Sequence, residues 1–120
     1  MSPEEVAEVC RALGEPNRLR LLALLASQGT LCGCELEAVT GLAQYTISRG
    51  LGVLHRVGLV ERERRGARRE YWLATELEPG LAALLAAALA MIADDPQCRA
   101  DLAAVGPALV QLNASPVSRA

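Results

Sequence analysis

Two cysteines one glycine apart, Cys32-Gly33-Cys34, are the side chains of this 120-residue chain best spaced for joint chemistry. Thiolates select soft, thiophilic ions over magnesium or calcium, and a helix N-terminus favours the thiolate form. Residues i and i+2 point to opposite sides of a helix, whereas in extended backbone they share a side. One ion held by both sulfurs therefore requires the start of the following helix to unwind, which Gly33 eases. The competing reading is a buried apolar couple, and a disulfide within the triplet is disfavoured as strained. Cys10 lies one turn from Val6 and near Leu13, which reads as core packing. Cys98 sits in a polar stretch, residues 94–101, and reads as exposed, either a third ligand or an idle thiol. Glu37, one turn past Cys34, offers an oxygen ligand or is simply solvated. His55 is the single histidine, so a zinc site of the several-histidine kind is excluded.

A second chemistry is electrostatic. The net charge is −2, yet residues 41–72 hold seven arginines against three glutamates, which points to one basic face. Arg64, Arg65 and Arg68 cluster around Gly66 and Ala67, suiting contact with phosphates. Just before them, Ile47, Leu51 and Leu54 are spaced to face a core. Gln44, Thr46, Ser48 and Arg49 are left outward at the N-terminal end of the same helix, where base edges and phosphates are contacted in a helix-turn-helix. A solvated helix face is the plain alternative.

The elements that position these residues follow from periodicity and punctuation. Ser2, Pro3 and Glu5 start a helix that runs to about Leu13. Pro16 opens a second, with Leu19, Leu22, Ala23, Leu25 and Ala26 at helical spacing, ended by Gly29. A short third helix spans roughly 34–40 and a fourth roughly 44–57, with Gly41 in the turn between them. Strand-forming residues at 59–65 and 69–74 flank Gly66-Ala67 as a hairpin, a wing. From Glu76 a helix carries a wide apolar stripe: Leu81, Leu84, Leu85, Ala88, Leu89 and Ile92. A last helical segment, 97–112, is expected to break at Gly106 and Pro107, and the tail after Asn113 reads as disordered.

The fold class is thus mainly α with a small β-hairpin, a winged helix-turn-helix. Residues 1–94 are expected to form one DNA-binding domain, and residues 95–120 a helical extension and tail. Phe is absent and only Tyr45, Tyr71 and Trp72 are aromatic, so the core is built from Leu, Ala and Val. No apolar run reaches membrane-spanning length, the longest being 81–93, and the first residues lack the basic start expected of a signal peptide. The expected setting is the reducing cytosol, where four cysteines serve as thiols rather than structural disulfides.

Residues 12–74 resemble the ArsR/SmtB family of metal-sensing winged-helix repressors, and within it the arsenite and antimonite sensors. The box from Leu31 to Leu36, Leu-Cys-Gly-Cys-Glu-Leu, is similar to the metal-binding box of the arsenic and cadmium/lead sensors. The resemblance implies a homodimer joined through the first and long fifth helices, and double-stranded operator DNA as partner. It implies arsenite or antimonite as inducer, with cadmium or lead as further thiophilic ions, and no cofactor for folding. Many arsenic sensors have a third cysteine where this chain has Glu37, so a three-sulfur site must recruit Cys10, Cys98 or an external thiol. Gly50 stands where a polar DNA contact is common. Asp94 and Asp95 lack the histidine companions of the zinc sensors. On the same scaffold, paired thiols would serve a sensor of oxidants or persulfides. A cysteine-dependent arsenate reductase is disfavoured, since no phosphate-cradling loop or nearby base accompanies the cysteines.

Overall fold

Among the residues described, 1–114 of this computed structural model, the chain forms α1 (Pro3–Leu13), α2 (Pro16–Gln28), β1 (Leu31–Cys32), α3 (Gly33–Thr40), α4 (Gln44–Arg56), β2 (Val60–Arg65), β3 (Arg68–Leu73), α5 (Pro79–Ile92) and α6 (Pro96–Ala114). The helix starts obey their sequence signals. Ser2 Oγ accepts the Glu5 amide while Glu5 returns a carboxylate to the Ser2 amide, and this reciprocal cap holds Glu5 below the usual carboxylate range. Arg18 closes the other end of α1, donating to the carbonyls of Ala12 and Arg11 at 2.6 and 3.0 Å. Such bonds satisfy carbonyls that a helix end otherwise leaves unpaired.

The core centres on α2, where Leu21, Leu22, Leu24 and Leu25 are buried with Leu36 of α3 and Ile47, Leu51 and Leu54 of α4. Each such leucine contributes about 1.5–3 kcal/mol through apolar burial. The expected stripe on α2 is displaced: Leu19 and Ala23 are half-buried, Ala26 is exposed, and Leu21 and Leu24 take the core. The helix packs against α1, α4, α5, α6 and β3, so a one-sided periodicity misplaces its buried face.

The hairpin is as expected, with Arg65 opposite Arg68 across Gly66-Ala67. Gly66 has φ 64° and Ala67 keeps negative φ, the pattern of a type II′ turn. An unexpected strand joins it. β1 pairs antiparallel with β3, giving a three-stranded sheet in the order β1-β3-β2, with Leu31 opposite Tyr71 and Cys32 opposite Glu70. Two residues are too few for any period to reveal.

The C-terminal segment also departs from expectation. α6 runs through Gly106 and Pro107 without interruption, although proline removes one backbone donor. It lies along α3 and α2, with Val105 buried and Ala104, Ala108 and Leu109 packed on the core. That one-sided packing stabilises the turns on either side of the proline. The expected disordered tail lies beyond the described residues, apart from Ala114, which ends α6. No single described helix is long and apolar enough to span a membrane, and α5 and α6 meet at a 93° bend.

α5 buries only Leu85, while Leu81, Leu84, Leu89 and Ile92 are half-exposed and Met91 is 81 % exposed. Val6 of α1 is also exposed. A single chain leaves these two helices with uncovered apolar surface.

Candidate thiol site and nucleic-acid interface

Cys32 and Cys34 straddle a boundary. Cys32 is extended, with φ −86° and ψ 165°, pairs in β1, and is at the same time the N-cap of α3. Cys34 lies in the first turn of the helix. The two sulfurs come into disulfide contact, with the Cα atoms 5.4 Å apart, inside the ordinary range for bridged cysteines. One expectation is thereby corrected. The sulfurs meet although α3 is intact from Gly33 onward, so bringing them together does not require its start to unwind. The strand-or-helix dichotomy fails because one partner is extended and the other helical.

Cys32 is 1 % exposed, whereas Cys34 is half-buried and accessible. The Cys32 sulfur accepts the Glu35 amide at 3.4 Å, and Glu35 Oε1 accepts the Cys32 amide at 2.8 Å. This is the reciprocal cap seen at Ser2, with sulfur in place of a hydroxyl. Gly33 abuts α4: a Cβ there would lie 2.7 Å from Gln44 Nε2.

The remaining thiols exchange places relative to expectation. Cys10 is exposed and Cys98 is buried at 6 % exposure. Cys10 falls on the outer side of α1, while Val9 and Ala12 face the core. Cys98 is held in the first turn of α6, its amide donating to Asp95 at 3.0 Å. Burial first, then Asp95, pushes the Cys98 thiol up, away from the thiolate that binds ions. Glu37 is exposed on α3. Among the described residues no three His, Cys, Asp or Glu side chains converge to hold a metal ion. The structure brings Cys32 and Cys34 together and does not gather Cys10, Cys98 or Glu37 into a three-ligand group with them.

On α4, Gln44, Ser48 and Arg49 are exposed and Thr46 is half-buried. Ala43 provides no side-chain cap and the first turn holds no acidic residue, so its amides and the positive end of the helix dipole face outward, an arrangement that suits phosphate. Tyr45, which the pattern of outward polar residues passes over, is 71 % exposed. Its hydroxyl accepts from Arg49 Nη1 at 3.0 Å, and its ring lies 6.0 Å from the guanidinium carbon. The i, i+4 spacing was the available signal. Gly50 does not face outward. It is buried against Arg18 and Leu21 of α2, so its lack of a side chain serves helix packing and removes no DNA contact.

In the wing, Arg64 stands opposite Arg69 and Arg65 opposite Arg68. Like charges directly across a sheet are destabilising, and a polyanion relieves them. Carboxylates temper two of the three expected phosphate contacts. Arg65 pairs with Glu63 and Glu70 at 3.1 and 2.9 Å, and half-buried Arg68 pairs with Glu35 at 3.5 Å. Arg64 is exposed near the tip, and no ion pair is recorded for it among the described residues.

The family model for bacterial regulatory proteins of the arsR family matches residues 15–62. The solution structure of a homodimeric winged helix-turn-helix DNA-binding domain from Mycobacterium bovis, a possible ArsR-family transcriptional regulator, is 36 % identical. The match covers 77 % of this chain and 81 % of that one, with a TM-score of 0.61. The crystal structure of the AntR antimony-specific transcriptional repressor is 29 % identical over 78 % of this chain and 82 % of that one, with a TM-score of 0.62. The arsenic resistance transcriptional regulator ArsR1 of Pseudomonas putida is 35 % identical over 59 % of this chain, which spans about half of that regulator's length, 52 %. With the three-stranded wing, the helix-turn-helix and these likenesses in agreement, the chain belongs to the arsR family of bacterial regulatory proteins, transcriptional regulators built on a winged helix-turn-helix.

Proposed function

We propose that the chain is a cytoplasmic transcriptional repressor that binds operator DNA as a homodimer and releases it when arsenite or antimonite is captured by Cys32 and Cys34. The observation that carries this reading is the meeting of the two sulfurs at the mouth of α3, with Gly33 against Gln44 of the recognition helix. Capture exchanges two As–O bonds of arsenite for two As–S bonds and releases two waters, with no change of oxidation state. Protein sulfur supplies two ligands, and an external thiol or retained hydroxide completes the ion. Residues 1–94 supply the DNA surface and the dimer face of α1 and α5, and the extension from residue 95 braces α3.

Recognition helices enter successive major grooves with Gln44, Thr46, Ser48 and Arg49, while Arg64, Arg65 and Arg68 reach the flanking backbone. The uncovered apolar residues of α1 and α5 support dimerisation, as does the homodimeric relative. The likeness to AntR and ArsR1 supports a metalloid over a hard cation. Substituting either cysteine with Ser should leave operator binding intact and abolish release by arsenite, antimonite, cadmium and lead in a fluorescence anisotropy titration. Full release of the Ser variants by arsenite would overturn the assignment.

The disulfide contact itself favours a second reading, in which oxidation or persulfidation of the same pair is the signal. Release by an oxidant at concentrations where arsenite has no effect, with a Cys32–Cys34 bridge found by mass spectrometry, would select it. Turnover of arsenate would indicate an enzyme instead, and none is expected.

A further inference from the structure

One carboxylate oxygen joins the thiol pair to the wing. Glu35 Oε1 accepts the main-chain N–H of Cys32 at 2.8 Å and also lies 3.5 Å from Arg68 Nη2 on β3. The Glu35 amide donates to Cys32 Sγ at 3.4 Å. One residue therefore brackets Cys32, its amide on the sulfur and its carboxylate on the backbone, and passes the contact on to an arginine at the wing tip. Arg68 sits in an incomplete seat: its Nε is buried without a hydrogen-bond partner among the described residues. An unsatisfied buried donor raises the free energy of the state that contains it, so this arginine has reason to move when its carboxylate partner does. Its cross-strand neighbour is Arg65, another cation.

We propose that Glu35 is a positioning residue that couples the state of the Cys32–Cys34 pair to the wing by holding or releasing Arg68. The inference rests on the sensing role proposed above. When the Cys32 sulfur gives an electron pair to arsenic, it accepts less well from the Glu35 amide, and the cap of α3, intact while the two sulfurs meet only each other, slackens. Because the same oxygen serves the Cys32 amide and Arg68, a shift of the cap displaces the ion pair. Arg68 then changes its place relative to the phosphates flanking the recognition helix. The signal reaches the wing by this route without unwinding α3.

The test is a double-mutant cycle on the full chain with Glu35→Gln, Arg68→Gln and both together, following operator affinity with and without arsenite by anisotropy. Thiol titration reports arsenite capture separately. Glu35→Gln keeps an oxygen for the Cys32 amide but loses the charge. Its thiols should be protected by arsenite as in the wild type, while the ratio of operator dissociation constants with and without arsenite falls by about fivefold or more. Arg68→Gln, which leaves the α3 cap untouched, should lose the same share of the ratio, and the double variant no more than either. A merely structural Glu35 would lower the melting temperature and leave the ratio alone. A responsive wild type with unchanged ratios in both single variants overturns the relay by itself. A wild type indifferent to arsenite and oxidant overturns the sensing role and the relay together.

Discussion

Arg20 and Asp101 are joined by two hydrogen bonds, Nε to Oδ2 at 2.8 Å and Nη2 to Oδ1 at 2.9 Å. The same guanidinium reaches Asn17 and the carbonyl of Thr40 at the end of α3. One side chain of α2 thus fastens α6 to the turn of the helix-turn-helix. Asp101 is 3 % exposed, and the bonds to it hold Arg20 above the ordinary arginine value. Asp101→Ala leaves that cation partly buried without its counter-charge. It should destabilise the protein by about 3 kcal/mol, the lower end for breaking a buried pair, since Asn17 and Thr40 remain. Urea unfolding checks this; a loss below about 1 kcal/mol, typical of exposed pairs, would show that the contact is dispensable.

Gly33→Ala tests the link between thiol triplet and recognition helix. The new methyl meets only the far end of Gln44, and alanine suits a helix better than glycine by up to about 1 kcal/mol. Stability should hold or rise slightly while operator affinity falls, because Gln44 is displaced. Equal affinity of variant and wild type would separate Gln44 from DNA recognition.

Tyr45→Phe removes the hydroxyl that accepts from Arg49. Operator binding should weaken several-fold with an unchanged melting curve, and Arg49→Ala should cost about 1–3 kcal/mol of binding. A salt slope unaltered in Arg49→Ala marks a base contact, and one reduced by about 1 marks a phosphate contact.

Arg64→Gln and Arg65→Gln should differ, although the two residues are adjacent. Exposed Arg64 is the better phosphate ligand, whereas Arg65 is already engaged by Glu63 and Glu70. The salt dependence of operator binding should drop by about 0.9 per Arg64 contact removed, and by less for Arg65. Identical slopes would show that DNA breaks both ion pairs of Arg65.

Cys98 provides a pH prediction. Its folded thiol value lies above the ordinary 9.0, chiefly because of burial. The associated stability is fully present below 9.0 and is lost as pH rises through the raised value. Wild-type protein should therefore lose stability relative to Cys98→Ala as pH climbs past 9.0, measured by thermal melts. Below that range, alkylation should label exposed Cys10 well before Cys98. Equal labelling would show that α6 opens readily from α2.

The elements with repeated or punctuated signals were legible in the sequence. The Ser2-Pro3-Glu5 start, the glycine between α3 and α4 and the Gly66-Ala67 turn each state a local rule that tertiary contacts do not override. The site was legible by residue type and less so by geometry. Cys32 and Cys34 are indeed neighbours in space, yet their meeting across a strand-to-helix junction depends on β1, whose two residues are ordered by β3, some forty positions later. The errors at Cys10 and Cys98 share a cause. Neighbours in sequence do not tell which side of a helix is covered: Cys10 falls on the outer side of α1, whereas α6 docks on α2 and α3 with Cys98 buried. The continuity of α6 through Pro107 has the same origin in long-range packing.

Ser2 completes α1 from within the chain, but among the described residues no side chain caps α4, where Ala43 is silent. In the proposed complex, the operator's sugar-phosphate chain would finish that first turn. Target and protein would then share the building of one helix, and the bound complex should protect the amides of residues 44–46 from solvent exchange far more than the protein alone.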